Sequence, residues 1–184
     1  MRNGVVNNRQ SGFTIVELVV VIILLGILAA TALPRFIDLD DEANAAAFEG
    51  VVGGFQTGLS LYHAQWFADQ EPPAGTQLLE FGNLRTNGQG FPYSTTSRTG
   101  HVITNHADCS AVFTNLLQGG PTISDQGSPA LARDATSDYW ARRISNTQCD
   151  YVYTGQSTVQ GQTVPMMSYN ATNGVLTRGT YTIP

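Results

Sequence analysis

Between Phe13 and Leu33 the chain is apolar at every position except Thr14, Glu17, Gly26 and Thr31. No polar face recurs at the helical period across these 21 residues. A segment apolar all round must be buried in lipid or in protein. At about 1.5 Å per residue it makes a helix of roughly 31 Å, close to the about 30 Å hydrocarbon layer of a bilayer. The pattern then changes. Over residues 35–68, Ala43, Ala47, Val51, Phe55, Leu59, Tyr62 and Trp66 recur at spacings of three or four, and Phe48 and Val52 widen the stripe. Asp38, Asp41, Glu42, Glu49, Gln56 and His63 fall on the other face. This predicts an amphipathic continuation of the same helix, ended by Glu71-Pro72-Pro73 because two prolines cannot continue it.

A second stripe runs through Gly50, Gly54 and Gly58, with Gly53 beside it. Each Gly costs a helix about 0.8–1.0 kcal/mol against Ala. The stripe predicts close approach of another backbone, a β-sheet lying almost on this face; the alternative is a locally weak or bent helix. Residues 72–100 and 119–137 are rich in polar and turn-forming residues and read as exposed connections, the first with room for one short strand. His101–Thr104 alternates weakly, as a strand would. Asp108–Gln118 reads as a short helix capped by Asp108 and stopped by Gly119-Gly120. Tyr139–Ile144 is ambiguous between helix and strand. Tyr151–Thr154, Thr163–Tyr169 and Gly174–Ile183 are β-rich, with Asn173-Gly174 as a hairpin turn. The expected fold class is α+β: a long N-terminal helix, its first half membrane-embedded, packed on an antiparallel meander.

Charge sharpens this. Acidic residues number 14 and basic residues 9, all Arg, for a formal charge of −5. An acidic chain without a basic cluster does not suit nucleic-acid binding through phosphates. Arg2 and Arg9 precede the apolar run; Asp38, Asp40, Asp41 and Glu42 follow it, with Arg35 the one cation among them. The positive-inside rule then puts the N-terminus in the cytoplasm and the bulk outside. Two cysteines, Cys109 and Cys149, fit that placement. An even count in an exported chain suggests a disulfide, worth about 4 kcal/mol for a loop of this size in the chain-entropy model; the alternative is two buried free thiols.

Glu17 is the anomaly. A carboxylate at mid-bilayer costs about 2.5–3.5 kcal/mol on insertion scales; Glu17 sits near one end, where the cost is smaller but still needs a partner. No Lys or Arg lies in the run. An ordinary secretory signal, with Ala30-Thr31-Ala32 as its cleavage site, should have a shorter and uncharged apolar region. A plain single-span anchor leaves Gly12 and Glu17 unexplained.

The run Gly12-Phe13-Thr14-Ile15-Val16-Glu17-Leu18, then Gly26-Ile27-Leu28-Ala29-Ala30 and Pro34, closely resembles type IV pilin precursors. The resemblance implies a leader over residues 1–12, a transmembrane and filament-core helix over 13–34, its amphipathic continuation over 35–70 and a C-terminal globular β-sheet domain over 71–184. It implies that a prepilin peptidase cuts after Gly12 and N-methylates Phe13. Glu17 would then assist subunit docking, and Gly26 and Pro34 would bracket a stretch that unwinds as the filament packs. The freed α-amino group, with an ordinary pKa near 7.7–8, would give the Glu17 of a neighbouring copy its counter-ion. The attraction is at most about 4 kcal/mol at 4 Å and an effective dielectric near 20.

Pro34-Arg35-Phe36-Ile37-Asp38-Leu39, Asp41-Glu42-Ala43, Gly53-Gly54-Phe55 and Ser60-Leu61-Tyr62-His63-Ala64-Gln65-Trp66 look like pilins of the mannose-sensitive haemagglutinin (MSHA) type, the last two like a minor pilin of that system. The specific resemblance covers roughly residues 11–67. It implies a Gram-negative inner-membrane precursor that becomes part of an extracellular adhesive pilus. Its partners would be other pilin subunits, the prepilin peptidase, and an inner-membrane platform with its ATPase. One departure stands out: 35 residues follow Cys149, so a Cys109–Cys149 bridge would enclose a central loop rather than the usual C-terminal one.

Catalytic, cofactor and metal chemistry find no foothold. The glycines at 50–58 lack a preceding strand and a phosphate-binding Lys. His63, His101 and His106 are scattered, without metal-ligand spacing. No nucleophile elbow surrounds a serine. Asp125, Asp134 and Asp138 miss the EF-hand spacing and read as solvated loop charges. Asn170-Ala171-Thr172 reads as turn chemistry. Two further readings remain: a type II secretion pseudopilin, and a carbohydrate- or surface-binding tip module using Tyr93, Trp140, Tyr151 and Tyr153 as stacking aromatics, although core packing is the better reading of those four.

Overall fold

A computed structural model of the chain describes residues 13–96, 100–125, 137–155 and 159–184, with the side chains of residues 32–39 left aside. Helix α1 spans Ile15–Ala68. Two compact units divide the chain, Met1–Glu42 and Ala43–Pro184, and α1 contributes to both.

In the second unit, α1 buries Phe48, Val52, Phe55, Leu59, Tyr62 and Trp66. This is the widening line of the predicted stripe, not its Ala side: Ala43 and Ala47 are exposed and Val51 is half-buried. The bulky residues set the direction because they carry most of the apolar area, at about 25 cal/mol per Å². The helix ends at Ala68, with three residues left before the prolines. Glu71 N–H donates to Trp66 O at 3.0 Å and Gln70 N–H to Phe67 O at 3.1 Å, with Gln70 and Glu71 both left-handed at φ 64° and 55°. Gly is the usual residue there because it carries no Cβ penalty. Gln70→Gly is therefore expected to raise stability by about 1 kcal/mol, read as a higher urea midpoint; an unchanged midpoint would remove the strain argument.

The main sheet has the order β4-β5-β6-β7-β8: Ile123–Ser124, Tyr139–Arg143, Gln148–Tyr153, Thr163–Asn170 and Val175–Thr182. Strands β5 to β8 form the expected antiparallel meander, and β4 adds a short parallel edge. The ambiguous segment at 139–144 is thus strand. Alternation puts Tyr139, Ala141, Cys149, Tyr151, Tyr153, Met167 and Tyr169 into the core with α1. Trp140, Val152, Val164 and Ile183 form a second cluster, as the period of two requires. Tyr151 and Tyr169 are fully buried and donate to Cys109 O at 3.0 Å and Pro92 O at 2.9 Å. Burial raises both phenols well above their ordinary pKa, so these bonds keep their protons.

Residues 72–100 depart from the expected surface connection. They include a three-stranded sheet, β1 (Gln77–Leu78), β2 (Leu84–Thr86) and β3 (Pro92–Ser94), with a 3-10 turn at Leu79–Phe81. Leu78, Leu84 and Tyr93 are buried in the main core. Each strand is two or three residues long, too short for a period to register in sequence. His101–Thr104 is not a strand; His101 sits at φ 51°.

Helix α2 spans His106–Leu116, two residues ahead of its predicted start. Its cap is Asn105, not Asp108: Asn105 Oδ1 accepts from Asp108 N at 2.8 Å, and Asp108 reaches back to Asn105 N at 3.3 Å. This α2, not a sheet, meets the glycine stripe. A Cβ built on Gly58 would lie 2.5 Å from Leu116 O, and one on Gly54 3.0 Å from Leu117 Cδ2. Gly50 and Gly53 face nothing within 4 Å, so close approach accounts for two of the four.

The Cys109–Cys149 disulfide joins α2 to β6, with Cα atoms 5.6 Å apart. It pins the helix to an inner strand of the main sheet, consistent with a bridge that encloses a central loop. Arg178 on β8 grips Glu49 on α1 through three bonds of 2.8–3.1 Å. Those bonds hold the Glu49 carboxyl below its usual range. The tie is present above that range and is lost as pH falls through the lowered value. Both side chains are half exposed, so solvent screens the pair strongly.

Candidate assembly site

In the first unit, every large apolar residue described between Phe13 and Leu28 is exposed, from 41% at Val19 to 90% at Phe13. Such a surface is unstable in water; lipid or other helices must cover it. Among the described residues no helix is long and apolar enough to cross a membrane. The described side chains of the run stop at Thr31, so the 13–34 span lies partly outside that description. Gly12 and the rest of the leader lie outside it altogether, as does the side chain of Pro34. The backbone of α1 continues through Gly26 and Pro34 without a break. Gly26 has open space where a Cβ would be.

Glu17 has a partner within its own chain. Thr14 N–H and Thr14 Oγ1–H both donate to Glu17 Oε2 at 2.9 Å, and Glu17 N–H donates to Thr14 Oγ1 at 3.3 Å. This is a capping box. Thr14 and Glu17 satisfy each other's backbone N–H groups, which the start of an apolar helix otherwise leaves without an intrahelical acceptor. The signal was present in the sequence as Thr-x-x-Glu before an apolar run, and Thr14 is the site residue that charge reasoning passed over. The carboxylate's second oxygen takes no part in the box, so the cap and a cation on a neighbouring copy can be served together.

The other candidate residues are structural in placement. Tyr93, Trp140, Tyr151 and Tyr153 are at most 8% exposed, which leaves none of the four free to stack on a sugar. His106 Nδ1 accepts from Arg143 N at 2.9 Å. His63 stacks on Phe91 with ring centroids 4.7 Å apart. Tyr93 and His101 are within hydrogen-bond distance at 3.3 Å. Asp138 Oδ2 accepts from the backbone and hydroxyl of Thr122. Among the described residues no cluster of metal-ligating side chains forms; Asp134 lies outside them.

Residues 7–33 match the family model described as the prokaryotic N-terminal methylation motif. The chain is similar to the type IV narrow pilus major component of Thermus thermophilus, 40% identical over 57 residues, which is 31% of this chain and 49% of that protein. It is similar to the type II secretion system core protein G of Pseudomonas aeruginosa, 34% identical over 71 residues, 39% of this chain and 50% of that protein. It is also similar to the type IV major alpha-pilin of Moraxella bovis, 27% identical over 149 residues, 77% of this chain and 89% of that protein. The chain thus spans about half the length of the first two curated relatives and most of the third. No solved structure matches. The chain carries the prepilin methylation motif and is similar to type IV pilins, and its long N-terminal helix and antiparallel sheet are the α+β architecture this resemblance implies. A pilin or pseudopilin subunit is the class these observations support.

Proposed function

We propose that this chain is a type IV pilus subunit, cut after Gly12 and methylated on Phe13, which leaves the inner membrane to join an extracellular filament. The observation that supports the reading is a helix start with exposed apolar residues on every side, lying within the matched methylation motif. Packing such helices together replaces lipid contacts with contacts between copies at little hydrophobic cost. The prepilin peptidase, the membrane platform and its ATPase supply the chemistry and the work. Residues 35–70 and 71–184 form the outer part, and Gly26 to Pro34 is the stretch that unwinds on packing. The MSHA-like segments at 34–43 and 53–66 favour a minor subunit of a filament used for surface attachment.

Mass spectrometry of the mature N-terminus tests the processing step, with N-methyl-Phe13 expected as the first residue. An intact leader, or a start at Leu33, overturns it. A second reading rests on the likeness to core protein G: the chain would build a short periplasmic pseudopilus. Cross-linking in cells separates the two, since a pilus subunit is recovered in sheared surface filaments and a pseudopilin only with secretion components. The tip-adhesin reading loses its support with the burial of its four aromatics.

A further inference from the structure

Among the described residues, two Asn-Gly pairs occur, Asn87-Gly88 and Asn173-Gly174. In this dipeptide the following residue has no side chain to block attack of its backbone nitrogen on the Asn amide. The fold treats the two pairs in opposite ways. Asn87 is 8% exposed. Its Oδ1 accepts from Gln89 N and Phe91 N, both at 2.9 Å, and its Nδ2 donates to Ala171 O at 2.5 Å. Three bonds fix that side chain and shut water away from its amide. Asn173 is exposed in the four-residue turn between β7 and β8. Its Oδ1 accepts from Val175 N at 3.1 Å.

We propose that Asn173 is a site of spontaneous deamidation in the folded protein and that Asn87 is protected. Gly174 N gives its proton to hydroxide and attacks Asn173 Cγ. The C–N bond of the new ring forms, and the side-chain nitrogen leaves as ammonia after taking a proton from water. Water then opens the succinimide at either carbonyl, giving aspartate or isoaspartate. The net change is one water consumed and one ammonia released, with no oxidation or reduction. Val175 N–H already points at the oxygen that becomes negative in the first step, a donor placed where charge develops. The Gly174 N–H bond to Asn170 O, 2.9 Å long, must open first. This makes the folded chain react more slowly than the unfolded one, as local opening energies require.

The product bears on the junction of the two sheets. Asn87 grips Ala171 in the same turn, and a Cβ built on Gly174 would lie 2.2 Å from Phe91 Cε1. An isoaspartate lengthens the turn by one backbone carbon beside the glycine packed against Phe91, and it adds a carboxylate at the exposed position 173.

The test ages the full chain in detergent micelles at mildly alkaline pH and maps both peptides by mass spectrometry, with a urea-unfolded sample alongside. The unfolded chain should convert at both sites. The folded chain should convert at Asn173, as two isomeric products, with Asn87 at least tenfold slower. No conversion at Asn173 while the unfolded sample goes to completion overturns the proposal, as does equal conversion at both asparagines. Asn87→Gln, which keeps an amide but shifts its reach, should speed conversion at Asn173 by loosening the turn; an unchanged rate would break the claimed link between the two.

Discussion

Glu17→Gln is expected to leave the start of α1 helical and abolish filaments. The capping box needs an acceptor at Glu17 for the Thr14 donors, and a Gln carbonyl supplies one. The proposed counter-ion, a neighbouring copy's α-amino group, needs a charge, which Gln lacks. The cap is worth about 1 kcal/mol. The ion pair is worth at most about 4 kcal/mol, nearly a thousandfold in an association constant. Thr14→Ala should do the reverse, weakening the helix start while leaving the carboxylate to its neighbour, with filaments reduced but present. Glu17→Ala loses both contributions and should be bare. Circular dichroism of the full chain in detergent reads the helix, and electron microscopy of sheared surface material reads the filament. If Glu17→Gln cells make filaments at the parental level, Glu17 serves only its own helix.

Asp108→Ala should cost about 3–4 kcal/mol of stability. Asp108 is 2% exposed and accepts from Thr104 N at 2.7 Å, Thr104 Oγ1 at 2.6 Å, Thr96 Oγ1 at 3.4 Å, the Ser94 hydroxyl and Asn105 N. These donors are all uncharged, and the first turn of α2 adds its dipole. The carboxylate thereby ties β3 and the 104–105 segment to the helix that carries the disulfide. Its removal strands at least two backbone N–H groups, each at about 1–3 kcal/mol, while the hydroxyls can turn elsewhere. Against a total stability of about 5–15 kcal/mol the loss is large, a fall in Tm on the order of 10 °C. Near-ultraviolet circular dichroism during heating measures it. A fall of under about 1 kcal/mol would mean that the site refills with water and that Asp108 is not the tie described.

The two residues illustrate what a sequence reveals. Glu17 is conspicuous as one acid in an apolar run, while its hydrogen-bonded partner Thr14 is not. A lone charge in such a run calls first for a cation, and that demand masks the local cap. Asp108 was visible as a helix-start residue but in the wrong role, because Asn105 and Asp108 both have cap chemistry. Only the backbone at Asn105, extended at φ −151° and ψ 178°, decides between them. The glycine stripe announces a close approach without its partner: Gly58 meets Leu116, the last residue of α2, and Gly54 meets Leu117 just beyond it, both more than fifty residues further along the chain.

The sequence by itself determined the elements whose signals are long or local. These are the apolar helix start, the bulky line from Phe48 to Trp66, the β-rich C-terminal strands and the even cysteine pair. Periodicity and composition act over neighbouring residues, so they survive without tertiary context. The tertiary structure alone decided the three short strands within 77–94, which of the two apolar clusters Tyr93 and Trp140 each join, and the tie from Asn87 to Ala171. Each of these depends on contacts between segments distant in the chain, where two or three residues gain a fixed place only because another segment satisfies their backbone and covers their side chains.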